Sequence, residues 1–234
     1  MNSPQPYTVR LESKEKVSRN VYLVTFALIT PATMVFAPGQ HVLVRLAQGM
    51  NRSMSIASVP GDAGKILMCH DVSPMGPFSQ WTIHAKVGDE LTFFGPLGIF
   101  TMAPTSSRRK VFVATGTGIA PLRSMIRHAL SEGDTSPIML YWGLRHEEDL
   151  YWQEEFTALA AGHPNFQFLL TLSQSSESWA GTRGRVTDHV FKMEKDLVHS
   201  DFYLCGNRTM VEEMRTGLLA QNVPKEQIKT ELFY

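Results

Sequence analysis

The chain lacks a net charge: 22 Lys and Arg stand against 22 Asp and Glu in 234 residues. Without a field of one sign it cannot gather phosphate backbones or anionic lipid from a distance, which argues against nucleic-acid and membrane-surface roles. Cysteine is scarce, and the 2 present, Cys69 and Cys205, are too few for a disulfide framework, a four-cysteine zinc site or an iron–sulfur cluster held by the chain's own ligands. The 8 histidines show no metal-ligand pairing, and His146-Glu147-Glu148 lacks the second histidine of a zinc helix, so no metal is expected. No apolar run approaches the roughly 18 residues of a membrane helix. The opening Met1-Asn2-Ser3-Pro4-Gln5-Pro6 lacks the basic-then-apolar pattern of a signal peptide. Together these absences predict a soluble, cytoplasmic protein. Gly-x-Ser-x-Gly is missing as well, so Ser173 sits in no nucleophile elbow.

What is present is ordinary globular material, 43% hydrophobic and 19% charged, in a length that suits one large domain or two small ones. The hydrophobic period divides it. From Tyr7 to Phe100, short alternating runs (Val21–Phe26, His41–Leu46, Ile66–Cys69, Glu90–Phe94) are punctuated by Pro38-Gly39, Pro60-Gly61, Gly88-Asp89 and Gly95-Pro96. That pattern predicts strands joined by turns in an antiparallel barrel or sandwich, with one short helix between Gly76 and Val87. After Arg108-Arg109-Lys110, continuous apolar runs alternate with amphipathic stretches. Val111–Ala114 precedes a helix through Leu122, Met125, Ile126, Ala129 and Leu130; Ile138–Trp142 precedes Asp149–Ala161; Phe166–Leu170 precedes Val186–Lys192; Phe202–Cys205 precedes Met210–Ala220. Buried strands alternating with helices predict a parallel sheet covered on both faces. The expected boundary is Ala103-Pro104-Thr105-Ser106-Ser107, dividing the chain into 1–103 and 108–234.

Three local patterns could carry chemistry. Thr115-Gly116-Thr117-Gly118-Ile119-Ala120-Pro121 lies between an apolar strand and a helix, where glycines let backbone amides approach an anion and the helix start supplies positive potential. Pro121 stands where a Gly-x-Gly-x-x-Gly fingerprint has its third glycine, and the same residues also suit a plain strand-to-helix turn. Arg52-Ser53-Met54-Ser55 with Gly76-Pro77-Phe78-Ser79 combines an arginine fork with a hydroxyl-bearing helix start, a reasonable diphosphate clamp, although an arginine beside Asn51 also suits a solvated surface. Tyr203-Leu204-Cys205-Gly206-Asn207 ends a strand at the carboxyl edge of the parallel sheet, the edge where open α/β folds bind ligands; Cys205 could equally be a small buried hydrophobe. Arg183-Gly184-Arg185 is a small basic spot that suits a solvated loop.

In this order and spacing the pieces resemble the ferredoxin–NADP reductase superfamily, over nearly the whole chain from Tyr7 to Tyr234. The resemblance implies an α+β chain of two domains, a flavin-binding antiparallel β-barrel (1–103) followed by an α/β parallel-sheet domain that binds nicotinamide nucleotides (108–234). Arg52-Ser53-Met54-Ser55 looks like the family's Arg-x-Tyr-Ser motif, with Met54 replacing the usual tyrosine. By that likeness Arg52 pairs with the flavin phosphate and Ser55 hydrogen-bonds near flavin N5. His70-Asp71-Val72 occupies the strand that in relatives runs beside the flavin, so His70 and Val72 are implied contacts. Gly76, Pro77, Phe78 and Ser79 match the family's phosphate-binding helix start, and Gly95-Pro96-Leu97-Gly98-Ile99-Phe100 its barrel-closing segment.

Thr115, Gly116, Thr117, Gly118 and Pro121 match the family's Gly-Thr-Gly-x-Ala-Pro nicotinamide loop, in which proline replaces the third glycine. Arg145, followed by Asp149-Leu150-Tyr151, resembles its Gly-x-Arg with a downstream Asp-Leu, and Cys205-Gly206 its Cys-Gly beside the nicotinamide. Phe233 or Tyr234 is implied as the aromatic cover of the flavin. The implied catalytic residues are Ser55, tuning N5, and Cys205, placing the nicotinamide ring. Ser173-Gln174 stands where NADPH-using relatives set serine and arginine, and Glu177 adds negative charge, which favours NADH over NADPH unless Arg183 or Arg185 reaches back.

The implied activity is hydride transfer from the nicotinamide nucleotide to FAD, or FMN in its place, with electrons passed to a separate acceptor protein, a ferredoxin or an oxygenase component. Two other readings keep the same motifs: a reductase that releases free reduced flavin, and a flavin- or nucleotide-holding redox sensor without turnover. A nucleotide-independent interaction protein would leave the glycines and Arg52 without a common purpose.

Overall fold

The computed structural model describes residues 3–46, 49–62, 64–103 and 106–233. The first half is one antiparallel sheet built from β1 (Gln5–Lys16), β2 (Val21–Thr30), β3 (His41–Arg45), β4 (Asn51–Ser55), β5 (Lys65–Asp71) and β6 (Glu90–Leu97), in the order β4-β3-β6-β1-β2-β5. Alternation selects the inward face: β1 buries Tyr7, Val9 and Leu11 while Arg10 faces water and pairs with Glu90 on β6. The expected barrel or sandwich is an open half-barrel. Its edge strands are tied where the Ala57 N–H donates to the Leu67 carbonyl at 2.8 Å and the Leu67 N–H to Ser58 Oγ at 3.2 Å. The short helix α1 (Pro77–His84) falls where expected and buries Phe78, Ser79 and Thr82.

The second half is a parallel sheet of β7 (Arg109–Thr115), β8 (Ile138–Leu144), β9 (Phe166–Leu172), β10 (Thr182–Arg183), β11 (Ser200–Asn207) and β12 (Ile228–Phe233), ordered β10-β9-β8-β7-β11-β12. Every residue of β8 is buried, the signature of a strand covered on both faces. The covering helices are α2 (Ile119–Ser131), α3 (Gln153–Gly162), α4 (Val186–Met193) and α5 (Arg208–Ala220). Two expectations need correction. The helix anticipated from Asp149 starts at Gln153, because Glu147–Asp149 forms a separate 3-10 turn whose first amides are capped by His146 and Asp149. No strand was anticipated at Ile228–Phe233, an edge strand whose alternating Ile-Lys-Thr-Glu lacks the continuous apolar run of its neighbours.

The chain changes sheets between Leu97 and Arg109; Pro104 and Thr105, within the expected boundary, lie outside the described residues. The halves share a core. Val21, Ala57, Cys69 and Phe100 of the first pack in one cluster with Ile119, Ala120, Trp142 and Tyr203 of the second, and each fully buried large side chain contributes roughly 1.5–3 kcal/mol. Among the polar contacts across the seam, α2 supplies two: Arg123 donates to the Ala57 carbonyl at 2.6 Å and Ser124 Oγ to the Ser58 carbonyl at 2.6 Å. Among the described residues no helix is long and apolar enough to cross a membrane, and no group of three or more His, Cys, Asp or Glu could hold a metal ion.

Candidate active site

The sheet order of the second half reverses between β7 and β11, since β8 and β9 follow on one side of β7 and β11 and β12 lie on the other. Such a switch point opens a crevice at the carboxyl ends of the two strands. Here the crevice meets the first half, and a cavity of about 1020 Å³ lies between them, at the upper end of the range for small-molecule sites.

Two loops floor it on the second-half side. After β7, Gly116–Gly118 form a 3-10 turn that runs into α2, with Gly116 at φ +53°. At the end of β11, Gly206 takes φ +145°, a conformation side chains resist, and a Cβ there would overlap Thr115. A Cβ on Gly118 would overlap the Cys205 carbonyl. The loops thus pack backbone against backbone, leaving the surface above them to amides rather than side chains. Asn207 fastens them: its backbone N–H and Nδ2 donate to Thr115 Oγ1 at 3.0 and 3.1 Å, and its Oδ1 caps α5 by accepting from the Met210 N–H at 2.9 Å.

The first half contributes side chains. Arg52, Ser53, Met54 and Ser55 of β4 and His70 of β5 all line the cavity. His70 is buried, its ring stacked on Phe78 with centroids 4.6 Å apart and Nδ1 2.9 Å from Thr82 Oγ1. Burial, and after it the Arg52 charge, lower the His70 pKa from 6.5 to about 4, so the ring is neutral at physiological pH. Ser55 Oγ donates to Glu231 Oε2 at 3.1 Å, joining β4 to β12 across the two halves, and Glu231 Oε1 lies 3.7 Å from His41 Nδ1.

Of the residues singled out in the sequence, Thr115, Gly116, Thr117, Arg145, Ser173 and Gly206 also lie on the cavity wall. Val72, Gly76, Pro77, Phe78, Ser79, Gly118, Pro121, Gln174 and Cys205 do not. Phe78 and Ser79 are buried behind the wall, Phe78 backing His70. Gly76 and Pro77 start α1, just past Ser73 and Pro74 on the rim; that helix start has no side-chain cap. Cys205 has no exposed surface, and burial pushes its thiol pKa up. The Tyr234 expectation lies outside the described residues, and of Phe233 only the backbone is described.

The sequence assigns no site role to Glu231, His41, Asn207 or Tyr151, although Asn207 and Tyr151 close patterns quoted for their neighbours; all four line the cavity. Glu231 had one available signal, its alternation with Ile228 and Thr230 in a strand ending the sheet. His41 had none, because its meeting with Glu231 joins residues far apart in sequence.

The donor set suits two anionic dinucleotides. Arg52 and the uncapped start of α1 offer positive potential on one side, and the glycine turns offer backbone amides on the other.

The comparisons agree with this division. Residues 8–102 match the oxidoreductase FAD-binding domain family and residues 112–216 the oxidoreductase NAD-binding domain family. The chain is 31% identical to ferredoxin–NADP reductase B of Sorangium cellulosum, over 100% of both chains. It is also 31% identical to the reductase component of propane 2-monooxygenase from Mycolicibacterium goodii, over 94% of this chain but 65% of that one. Among solved structures, the cytochrome P450 reductase of Amycolatopsis superposes with a TM-score of 0.93 at 26% identity, covering 100% of this chain and 71% of that one. The relative that matches end to end and the two domain families in this order make the chain a member of the ferredoxin–NADP reductase superfamily, an NAD(P)H-dependent FAD oxidoreductase.

Proposed function

We propose that the chain takes a hydride from NADH onto FAD and passes the electrons to a separate acceptor protein, a ferredoxin or an oxygenase component. The observation that carries this reading is the Ser55–Glu231 hydrogen bond, which joins the two halves within the cavity they share. The name of the Mycolicibacterium relative, a monooxygenase reductase component longer than this chain, supports an acceptor outside it.

FAD held there would supply the capacity to take up a nicotinamide hydride and pass its electrons on. Arg52 and the first turn of α1 hold the flavin's phosphates, with Gly76, Pro77 and Ser79 shaping that turn. Ser53, Met54 and His70 frame the flavin, Val72 and Phe78 back them, and neutral His70 adds no charge beside it. Ser55 would stand beside N5, held in place by the hydrogen bond it donates to Glu231. Thr115–Gly118, with Pro121 in the helix behind, and Gly206 would hold the nicotinamide nucleotide, with the buried Cys205 backbone packed against Gly118. Arg145 and Ser173 on the wall, with Gln174 next to Ser173, would meet its adenosine end. The same assignment divides the chain into a flavin-binding 1–103 and a nicotinamide-binding 108–234.

NADH is favoured because two of the arginines near the adenosine end, Arg183 and Arg185, are engaged elsewhere. Arg183 donates to Ser175 Oγ at 3.2 Å and to the carbonyls of Ser176, Glu177 and Trp179 at 2.8, 2.8 and 2.6 Å. Arg185 pairs with Glu213. Beside Gln174, Glu147 accepts from the Ser176 N–H at 2.9 Å and its hydroxyl at 2.5 Å, which keeps a negative charge where a 2′-phosphate would add another.

The test compares kcat/KM for NADH and NADPH with a [2Fe–2S] ferredoxin and with free FAD as acceptors. NADH at least about tenfold ahead, with ferredoxin reduced, is the expected result; parity or an NADPH advantage contradicts the coenzyme assignment. A second reading, loosely held FAD reduced and released, is favoured by Met54, which lacks the stacking ring of a tyrosine. Loss of flavin on desalting together with rapid reduction of free FAD would establish it.

A further inference from the structure

Tyr151 and Trp142 are buried, belong to the core cluster shared by the halves, and serve no role in the hydride path described above. Both donate to the same atom. Trp142 Nε1 reaches the Gly116 carbonyl at 3.0 Å and Tyr151 Oη reaches it at 3.2 Å, in addition to the Ile119 N–H that closes the 3-10 turn. The two rings brace each other edge to face with centroids 4.9 Å apart.

A trans peptide points its C=O and its N–H in opposite directions. With the Gly116 oxygen drawn inward by two side chains, the N–H of Thr117 is turned the other way, and Thr117 lines the cavity. Gly116, at φ +53°, is a residue whose peptides turn over easily, so it needs such anchoring. Tyr151 has one more partner: its oxygen accepts from the Cys69 thiol at 3.6 Å. Cys69 precedes His70 on β5, so a chain of hydrogen bonds runs from a cavity-lining strand of the first half, through Tyr151, to the loop of the second. Tyr151 is itself held in place, because the next residue, Trp152, turns the chain at φ +53° and lies under the Arg123 guanidinium at 4.7 Å.

We propose that Tyr151 and Trp142 are positioning residues that lock the Gly116–Thr117 peptide with its N–H toward the cavity. Through Cys69, Tyr151 also sets the height of that peptide relative to the flavin-side strand. The inference rests on the reading of Thr115–Gly118 as the nicotinamide-nucleotide loop.

The test uses the FAD-loaded protein and the variants Tyr151→Phe, Trp142→Phe and the double. NAD+ affinity is measured by titration calorimetry, amide exchange over residues 114–121 by mass spectrometry, and FAD affinity and Tm alongside. Removing one net hydrogen bond in Tyr151→Phe should weaken NAD+ binding about threefold to tenfold and speed exchange of the loop amides, with FAD affinity within about twofold of the parent. The double variant should lose more than the product of the singles, because in each single variant one side-chain donor still holds the oxygen. A merely structural role would lower Tm and leave NAD+ affinity of the folded protein and loop exchange unchanged, which overturns the inference. Faster loop exchange with unchanged NAD+ affinity would instead remove the reading of the loop on which it rests. Should Trp142→Phe fail to fold, the Tyr151→Phe comparison, which keeps the ring, decides alone.

Discussion

The two halves line one cavity by opposite means. The antiparallel sheet offers side chains, Arg52 and Ser55 of β4 and His70 near the end of β5. The parallel sheet buries both faces, so it reaches the cavity at the ends of its strands, and at the floor those bring backbone: Gly116, Thr117 and Gly206. One half therefore governs what chemistry faces the ligand, and the other governs how closely a ligand can approach. Substitutions in the two halves should fail differently.

The largest effect belongs to the backbone side. Gly118→Ala puts a methyl against the Cys205 carbonyl, where neither backbone can yield cheaply. NAD+ binding should fall by about a hundredfold or more while FAD binding in the other half persists, as titration of each would show. Equal loss of both ligands would mean that the halves do not divide the work.

Next in size is the cost of keeping His70 neutral. The unfolded chain protonates this ring below 6.5 and the folded chain only below about 4, so between those values the unfolded state binds more protons. Stability should fall as pH drops from 6.5 towards 4, by up to roughly 3 kcal/mol from this group, and be fully present above 6.5. Urea midpoints across that range should show a shallower decline in His70→Gln than in the parent; an unchanged slope would show that His70 is not the group responsible.

Smallest is the loss of one hydroxyl. Ser55→Ala should slow anaerobic flavin reduction by about tenfold while changing FAD affinity less. Single-turnover reduction at the parent rate would remove Ser55 from the chemistry and leave it a partner of Glu231 alone.

Legibility followed the same divide. The change of period at Arg108–Lys110 announced two sheets, and the continuous runs at Val111–Ala114 and Ile138–Trp142 marked buried strands. Glycine turns beside those strands were readable because a loop at a strand end is local in sequence. What the sequence hid was pairing at a distance. Ser55 meets Glu231 only because β12 closes the parallel sheet against the first half, and Tyr151 reaches Gly116 only because the chain turns at Trp152. No local pattern encodes either meeting. Asn207 was readable only as the end of the Tyr203–Asn207 pattern; its roles as helix cap and as donor to Thr115 needed coordinates.

The central claim is that both halves work on one cavity, the first holding flavin and the second delivering hydride. The most direct test is to saturate the protein with FAD, remove excess by desalting, and follow the visible spectrum as NADH is added without oxygen. The expected result is a flavin spectrum that bleaches on addition of NADH, and bleaches more slowly in Ser55→Ala. A bound flavin that stays oxidised in the presence of NADH would contradict it.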